Sequence, residues 1–247
     1  MLSERQQKLL NILIERHIKT SQPVSSKSIV ESGYFSLSSA TIRCEMHILE
    51  KAGYLTHIHT SSGRVPTARA YRLYVDNLMS NSNFFVPESL RIKIHTAIKN
   101  AAEDPEELNK IVANIVSNLS DNIVVTSIKD SDYYYKTGLS SLFELPEFKE
   151  FERIFNIANV FDKFEEFFNQ IEKEIFGDKD NDIQVFIGEE NYIKNMKNES
   201  VILAKYPLPG KKVGSMTLIG PMRMDYDRNI GIAKCVTNEL KNKIKNI

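Results

Sequence analysis

Gly53 divides the stretch from Ser38 to Thr67 into a helix and a hairpin, and this division limits the possible architecture more than any other feature of the chain. Ser38 is an N-cap candidate, and Ile42, Met46 and Leu49 recur at i, i+4 and i+7, so one face of the helix can be buried. The opposite face carries Ala40, Arg43, Cys44, His47 and Lys51, with Ser39 and Thr41 in the first turn. Residues 54 to 59 alternate as a strand, and Thr60-Ser61-Ser62-Gly63 supplies turn residues. Arg64 to Thr67 returns as a second strand, where Pro66 suits an edge because it has no N–H to donate.

Two helices are expected upstream. Ser3 can cap one that runs to about Thr20, with Leu9, Ile12, Leu13 and Ile18 on its apolar side and Arg5, Lys8, Glu15 and Arg16 outside. Ser25 can cap a short one that ends at Gly33. Three helices followed by a hairpin make either a plain three-helix bundle or a winged helix-turn-helix, in which the third helix reads duplex DNA and the hairpin is the wing. In the second case the candidate DNA contacts are Ser26, Lys27, Ser39, Thr41, Arg43, Cys44, His47, Thr60, Ser61 and Arg64, with Arg64 placed at the wing tip. Glu50 and Lys51 read as a solvated pair. Cys44, His47, His57 and His59 are too poor in sulfur to argue for a zinc centre, and no metal or cofactor is expected.

Charge favours the same end of the chain. The net charge is zero, yet residues 1 to 80 carry ten Lys or Arg against six Asp or Glu, a local +4 that the remaining 167 residues balance. Four of the five histidines lie there too. Two distant cysteines fit a reducing compartment without a disulfide framework. With no apolar run long enough for a membrane span and no leader peptide, a soluble cytoplasmic protein is expected. No nucleophile, metal cluster or phosphate loop stands at a recognisable spacing, so an enzyme is not expected.

A further helix over 67–79, with Tyr71, Tyr74, Val75 and Leu78 on one side, closes the first domain, and Ser80-Asn81-Ser82-Asn83 reads as a linker. Helices follow at 86–102 and 105–119, then strands at 122–128, 183–188, 200–206 and 212–219, and a last helix from Asp225. Between them, residues 143–176 hold nine of the 13 phenylalanines. Pro146 opens one helix carrying Phe148, Phe151 and Phe155, and the next spaces Phe161, Phe164, Phe168, Ile171 and Ile175 by 3-4-3-4, a helix-association seam. These side chains serve either an intramolecular core or a dimer contact. Glu189-Glu190 reads as an exposed turn, and Arg223 with Asp225 as ordering the strand-to-helix junction.

The runs Thr41-Ile42-Arg43, Leu49-Glu50-x-x-Gly53-Tyr54-Leu55 and His59-Thr60-Ser61-Ser62-Gly63-Arg64-Val65-Pro66-Thr67 resemble the HrcA family of heat-inducible transcription repressors. Leu2-Ser3-Glu4-Arg5-Gln6 and Gln22-Pro23-Val24-Ser25-Ser26 agree, as do Phe186-Ile187-Gly188-Glu189-Glu190-Asn191, Val213-Gly214-Ser215-Met216 and Ile219-Gly220-Pro221-Met222-Arg223-Met224-Asp225-Tyr226. The resemblance implies an α+β chain: an N-terminal winged helix-turn-helix over 1–80, a linker over 81–87, and a GAF-like α+β domain over 88–247 with an inserted helical dimerisation segment at about 140–180. It also implies a homodimeric repressor of chaperone operons that binds the inverted-repeat CIRCE operator and depends on the GroE chaperonin. Cys44 stands where relatives usually have Asn, and a sizeable part of the usual central region is missing between the strand at 122–128 and Tyr133-Tyr134-Tyr135. The competing function is a winged-helix regulator controlled by a small ligand or metal in its second domain.

Overall fold

The computed structural model describes residues 2–57, 63–81, 84, 86–165, 168, 182–192 and 196–245. The chain forms two compact units, Met1–Ser82 and Asn83–Ile247.

The first unit is mostly helical: α1 (Glu4–Thr20), α2 (Ser26–Glu31), α3 (Ser39–Lys51), a hairpin of β1 (Leu55–Thr56) and β2 (Val65–Pro66), and α4 (Ala68–Asn81). Serine caps set the starts. Ser3 forms a capping box with Gln6, Ser25 accepts from the Ser28 amide, and Ser38 accepts from the Thr41 amide at 3.1 Å. Leu9, Leu13, Ile29, Ile42, Leu49 and Tyr71 fill the core. Glu45 shares that side of α3 and is only 5% exposed; it is held by Arg5 and by Gln6 Nε2, which donates at 3.1 Å. Arg5 stays over half exposed while its guanidinium reaches inward to that carboxylate.

The second unit is built on a five-stranded antiparallel sheet in the order β4-β3-β7-β6-β5, made of β3 (Ile123–Ile128), β4 (Tyr134–Thr137), β5 (Ile183–Ile187), β6 (Glu199–Leu208) and β7 (Lys212–Pro221). Every residue of β3 is buried, because both faces of the sheet are covered. On one face lie α5 (Glu88–Asn100), α6 (Pro105–Ser120) and α9 (Tyr226–Lys245). On the other face Ile123, Val125, Val201, Leu203 and Ile219 meet α7 (Leu139–Phe143), a 3-10 turn at Pro146–Lys149 and α8 (Phe151–Asp162). Polar groups pin α6 to the sheet: Tyr206 Oη donates to Asn109 Oδ1 at 2.5 Å, and Asn109 Nδ2 donates to the Ser127 carbonyl at 2.8 Å. Gly214 leaves room for the Tyr206 ring, since a Cβ there would fall 2.5 Å from it.

Several expectations change here. The tyrosine run adds an unforeseen edge strand, β4, with Tyr133 Oη donating to the Glu106 carbonyl. Pro146 opens only the 3-10 turn, and Glu150 is extended before α8 begins. Arg223 pairs with Glu147, while Asp225 caps α9 as its place before the last helix led one to expect, accepting from the Arg228 amide at 3.1 Å. The phenylalanines divide. Phe148, Phe164 and Phe168 are at most 2% exposed within the protomer's own core, and Phe161 packs against the same cluster, so these four are not a free dimer surface. Phe151 and Phe155, 79% and 61% exposed, stack with centroids 6.3 Å apart. Ile171 lies outside the described residues.

Two measurements follow from this packing. Phe164→Ala lowers unfolding free energy by about 3–5 kcal/mol, whereas Phe155→Ala changes it by less than about 0.5 kcal/mol, read from urea melts. Burial raises the Glu147 carboxyl, but the Arg223 hydrogen bonds and charge outweigh it, so the group titrates below its ordinary value of 4.5. The stability this depressed group contributes is therefore complete above about pH 4.5 and lost as pH falls through its lower folded value. Glu147→Gln costs about 1.5–3 kcal/mol at neutral pH, and melts at successively lower pH show the gap from wild type closing.

Candidate nucleic-acid interface

The outward face of α3 presents Ala40, Arg43, Cys44, His47, Ile48 and Lys51 to solvent, as the helical wheel requires. Arg43 makes no ion pair among the described residues, and Cys44 is a free, exposed thiol. Ile48 is 48% exposed, and Tyr34, in the turn before α3, is 56% exposed; their apolar surface was not anticipated. Lys27 is exposed on α2 within 3.8 Å of Glu31.

The smaller hydroxyls turn inward or to one another. Ser26, proposed as a backbone contact, is buried with its Oγ 2.9 Å from Ser39 Oγ, so the first residues of α2 and α3 hold each other. Thr41 Oγ1 lies 2.9 Å from Ser38 Oγ at the cap. Thr60 and Ser61, with His59, lie outside the described residues.

Arg64 is not free at a wing tip: it directly precedes β2, on the loop side of the short ladder, and is held against the body of the unit. Its amide and carbonyl exchange 2.8 Å hydrogen bonds with Val24. A Cβ on Gly63 would fall 2.5 Å from the Val24 carbonyl, so a glycine permits this close approach. The Arg64 guanidinium is turned to Glu50, with Nε donating to Oε2 at 3.0 Å.

Glu50 is the largest departure from the sequence reading. Instead of a solvated partner for Lys51, it is mostly buried between three basic side chains. Arg64 holds one oxygen, His57 Nδ1 lies 2.6 Å from the other, and His47 Nδ1 stands at 3.6 Å. Burial raises the Glu50 carboxyl; the His57 hydrogen bond and the Arg64 charge outweigh it, leaving the group below its ordinary 4.5. The carboxylate is thus ionised at neutral pH and can hold its neighbours by charge-assisted bonds. Beside it, Arg69 donates to the Ala52 carbonyl at 2.9 Å and lies over the Tyr54 ring, closing the C-terminal end of α3. The i, i+3 spacing of His47 and Glu50 was visible in the sequence, but the arrival of His57 and Arg64 was not.

The family model described as "HrcA protein C terminal domain" matches residues 38–230. Over 338 aligned positions, the chain is 28% identical to the heat-inducible transcription repressor HrcA of Clostridium botulinum (strain Eklund 17B / Type B), covering 99% of this chain and 98% of the relative. The alignment is much longer than this chain's 247 residues, so the relative carries segments absent here. The HrcA of Mycoplasma capricolum is 42% identical over 126 residues, covering 47% of this chain and 37% of that protein. A crystal structure of a hypothetical protein shares the fold with a TM-score of 0.81 at 20% identity, covering 100% of this chain and 99% of that one. With the family match running through most of its length, the chain belongs to the HrcA family of heat-inducible transcription repressors.

Proposed function

We propose that residues 1–80 act as a winged helix-turn-helix domain, with α3 entering the major groove of duplex DNA and the hairpin serving as the wing. The observation that carries this reading is Arg43, exposed near the middle of the outward face of α3 with no ion pair among the described residues. A guanidinium so placed offers paired donors to guanine O6 and N7 without giving up an internal partner. Lys27, Ser39, Thr41 and His47 supply further polar contacts, and the local excess of positive charge attracts the phosphates. Cys44 and the exposed Ile48 offer only apolar or weakly polar contact, which suits a thymine methyl better than a hydrogen-bonding base edge.

In this reading a linker at 81–87 joins the DNA-binding domain to a GAF-like domain over 88–247. The protein works as a cytoplasmic homodimer, because the two-fold symmetry of the inverted-repeat CIRCE operator calls for two copies. Within the helical insert, Phe151 and Phe155 are the candidate dimer contacts, being the most exposed phenylalanines among the described residues. Repression of chaperone operons depends on the GroE chaperonin, and heat releases the operator when other unfolded chains draw the chaperonin away.

Fluorescence anisotropy with a repeat-bearing duplex and a scrambled duplex of equal length tests the reading. Preference for the repeat is expected, weakening steeply between two salt concentrations, and Arg43→Ala should remove about 1–3 kcal/mol of that preference. Equal affinity for both duplexes, with chaperonin present as well as absent, would sink the operator assignment.

A further inference from the structure

We propose that Glu50 is the positioning residue that sets the hairpin against α3, and that sequence discrimination by this domain depends on it. The inference rests on the DNA-binding reading above. The hairpin has little means of holding itself: each strand is two residues long, and one residue of the four is Pro66, which cannot donate to the ladder. Two-residue arms of this kind are marginal unless the body of the protein fixes them.

Glu50 belongs to the last turn of α3, and its two carboxylate oxygens are divided between the two arms. Oε1 lies 2.6 Å from His57, the residue that follows β1, and Oε2 accepts from Arg64, the residue that precedes β2. One ionised group therefore ties the helix to both arms, at the point where they leave their short ladder for the tip. The Val24 bridge secures the second arm alone, through backbone. Without the carboxylate, Arg64 would be a mostly buried cation with no counter-charge from α3, and the first arm would lose the His57 side-chain tie at its outer end, keeping only the Tyr54 amide bond to Leu49 and the buried Leu55 nearer the helix. The same pairing also means that Arg64 contributes to DNA recognition by fixing the wing rather than by reaching a phosphate from its tip.

The test uses the full chain as wild type, Glu50→Gln and Glu50→Ala. In the free proteins, amide hydrogen exchange at Thr56 and Val65 is expected to accelerate about tenfold in Glu50→Gln while amides of Leu13 and Ile42 keep their wild-type protection. On DNA, Glu50→Gln binds the inverted-repeat duplex about tenfold more weakly, holds the scrambled duplex within about twofold, and has a shallower salt dependence because wing contacts are lost. Glu50→Ala is expected to behave the same way or more strongly. A role confined to fold stability would instead accelerate exchange throughout the unit and weaken both duplexes together, and that result overturns the proposal. Unchanged hairpin exchange overturns it as well, as would tighter binding by Glu50→Gln, which would mean that the carboxylate competes with DNA phosphate for Arg64. A wild type that fails to prefer the repeat would count against the operator reading, and the hairpin exchange would still decide whether Glu50 fixes the arms.

Discussion

A sheet with apolar side chains on both faces has to be covered twice, and most of the second unit is organised by this requirement. Helices α5, α6 and α9 supply one cover, with Asn109 and Tyr206 tying α6 to the strands by hydrogen bonds that neither water nor a looser packing would replace. Among the described residues the second cover comprises α7, a 3-10 turn, α8 and the residues just after it. Phenylalanines suit it, because each ring brings a large apolar area from a single position. Phe148, Phe164 and Phe168 do this for the β3, β6 and β7 residues beneath them. Among the described residues, several of the phenylalanines between 143 and 176 thus serve to cover this face of the sheet.

The first unit solves a different problem. It is small, with short helices, so its geometry rests on ends and junctions more than on depth of core. Three serine caps start three helices, and Ser26 and Ser39 join two of those starts. Two carboxylates of α3, Glu45 buried and Glu50 at the flank of the helix, take their partners from distant parts of the chain, Glu45 from α1 and Glu50 from the hairpin. With both glutamates engaged elsewhere, the outward face keeps Arg43, which makes no ion pair among the described residues, and Lys51 as its charged groups.

What could be read from the chain alone was whatever repeats with a period or depends on adjacent residues. The caps at Ser3, Ser25 and Ser38, the buried stripe of Ile42, Met46 and Leu49, the outward position of Arg43, Cys44 and His47, and the four apolar strands all follow from spacing. Features that depend on long-range partners were not legible. Glu50 looked like a surface residue beside Lys51 because its bonds come from residues seven and 14 positions away, across a turn whose path no periodicity describes. Arg223 looked local to Asp225, while its partner Glu147 is 76 positions away. Strand β4 was hidden for another reason: its tyrosines and lysine are half-exposed at a sheet edge, so they show neither clean alternation nor a continuous apolar run. The 3-4-3-4 seam of phenylalanines was correctly seen as apolar, but a seam states only that a face is buried, not whether the burying surface belongs to the same chain.

The approach of the hairpin to Val24 restricts how this segment can vary over evolutionary time. With no room for a Cβ at Gly63, every L-residue substitution there must displace backbone that is already hydrogen-bonded on both sides. Variation among related chains is therefore confined to changes that keep the close approach of Gly63 to Val24 intact.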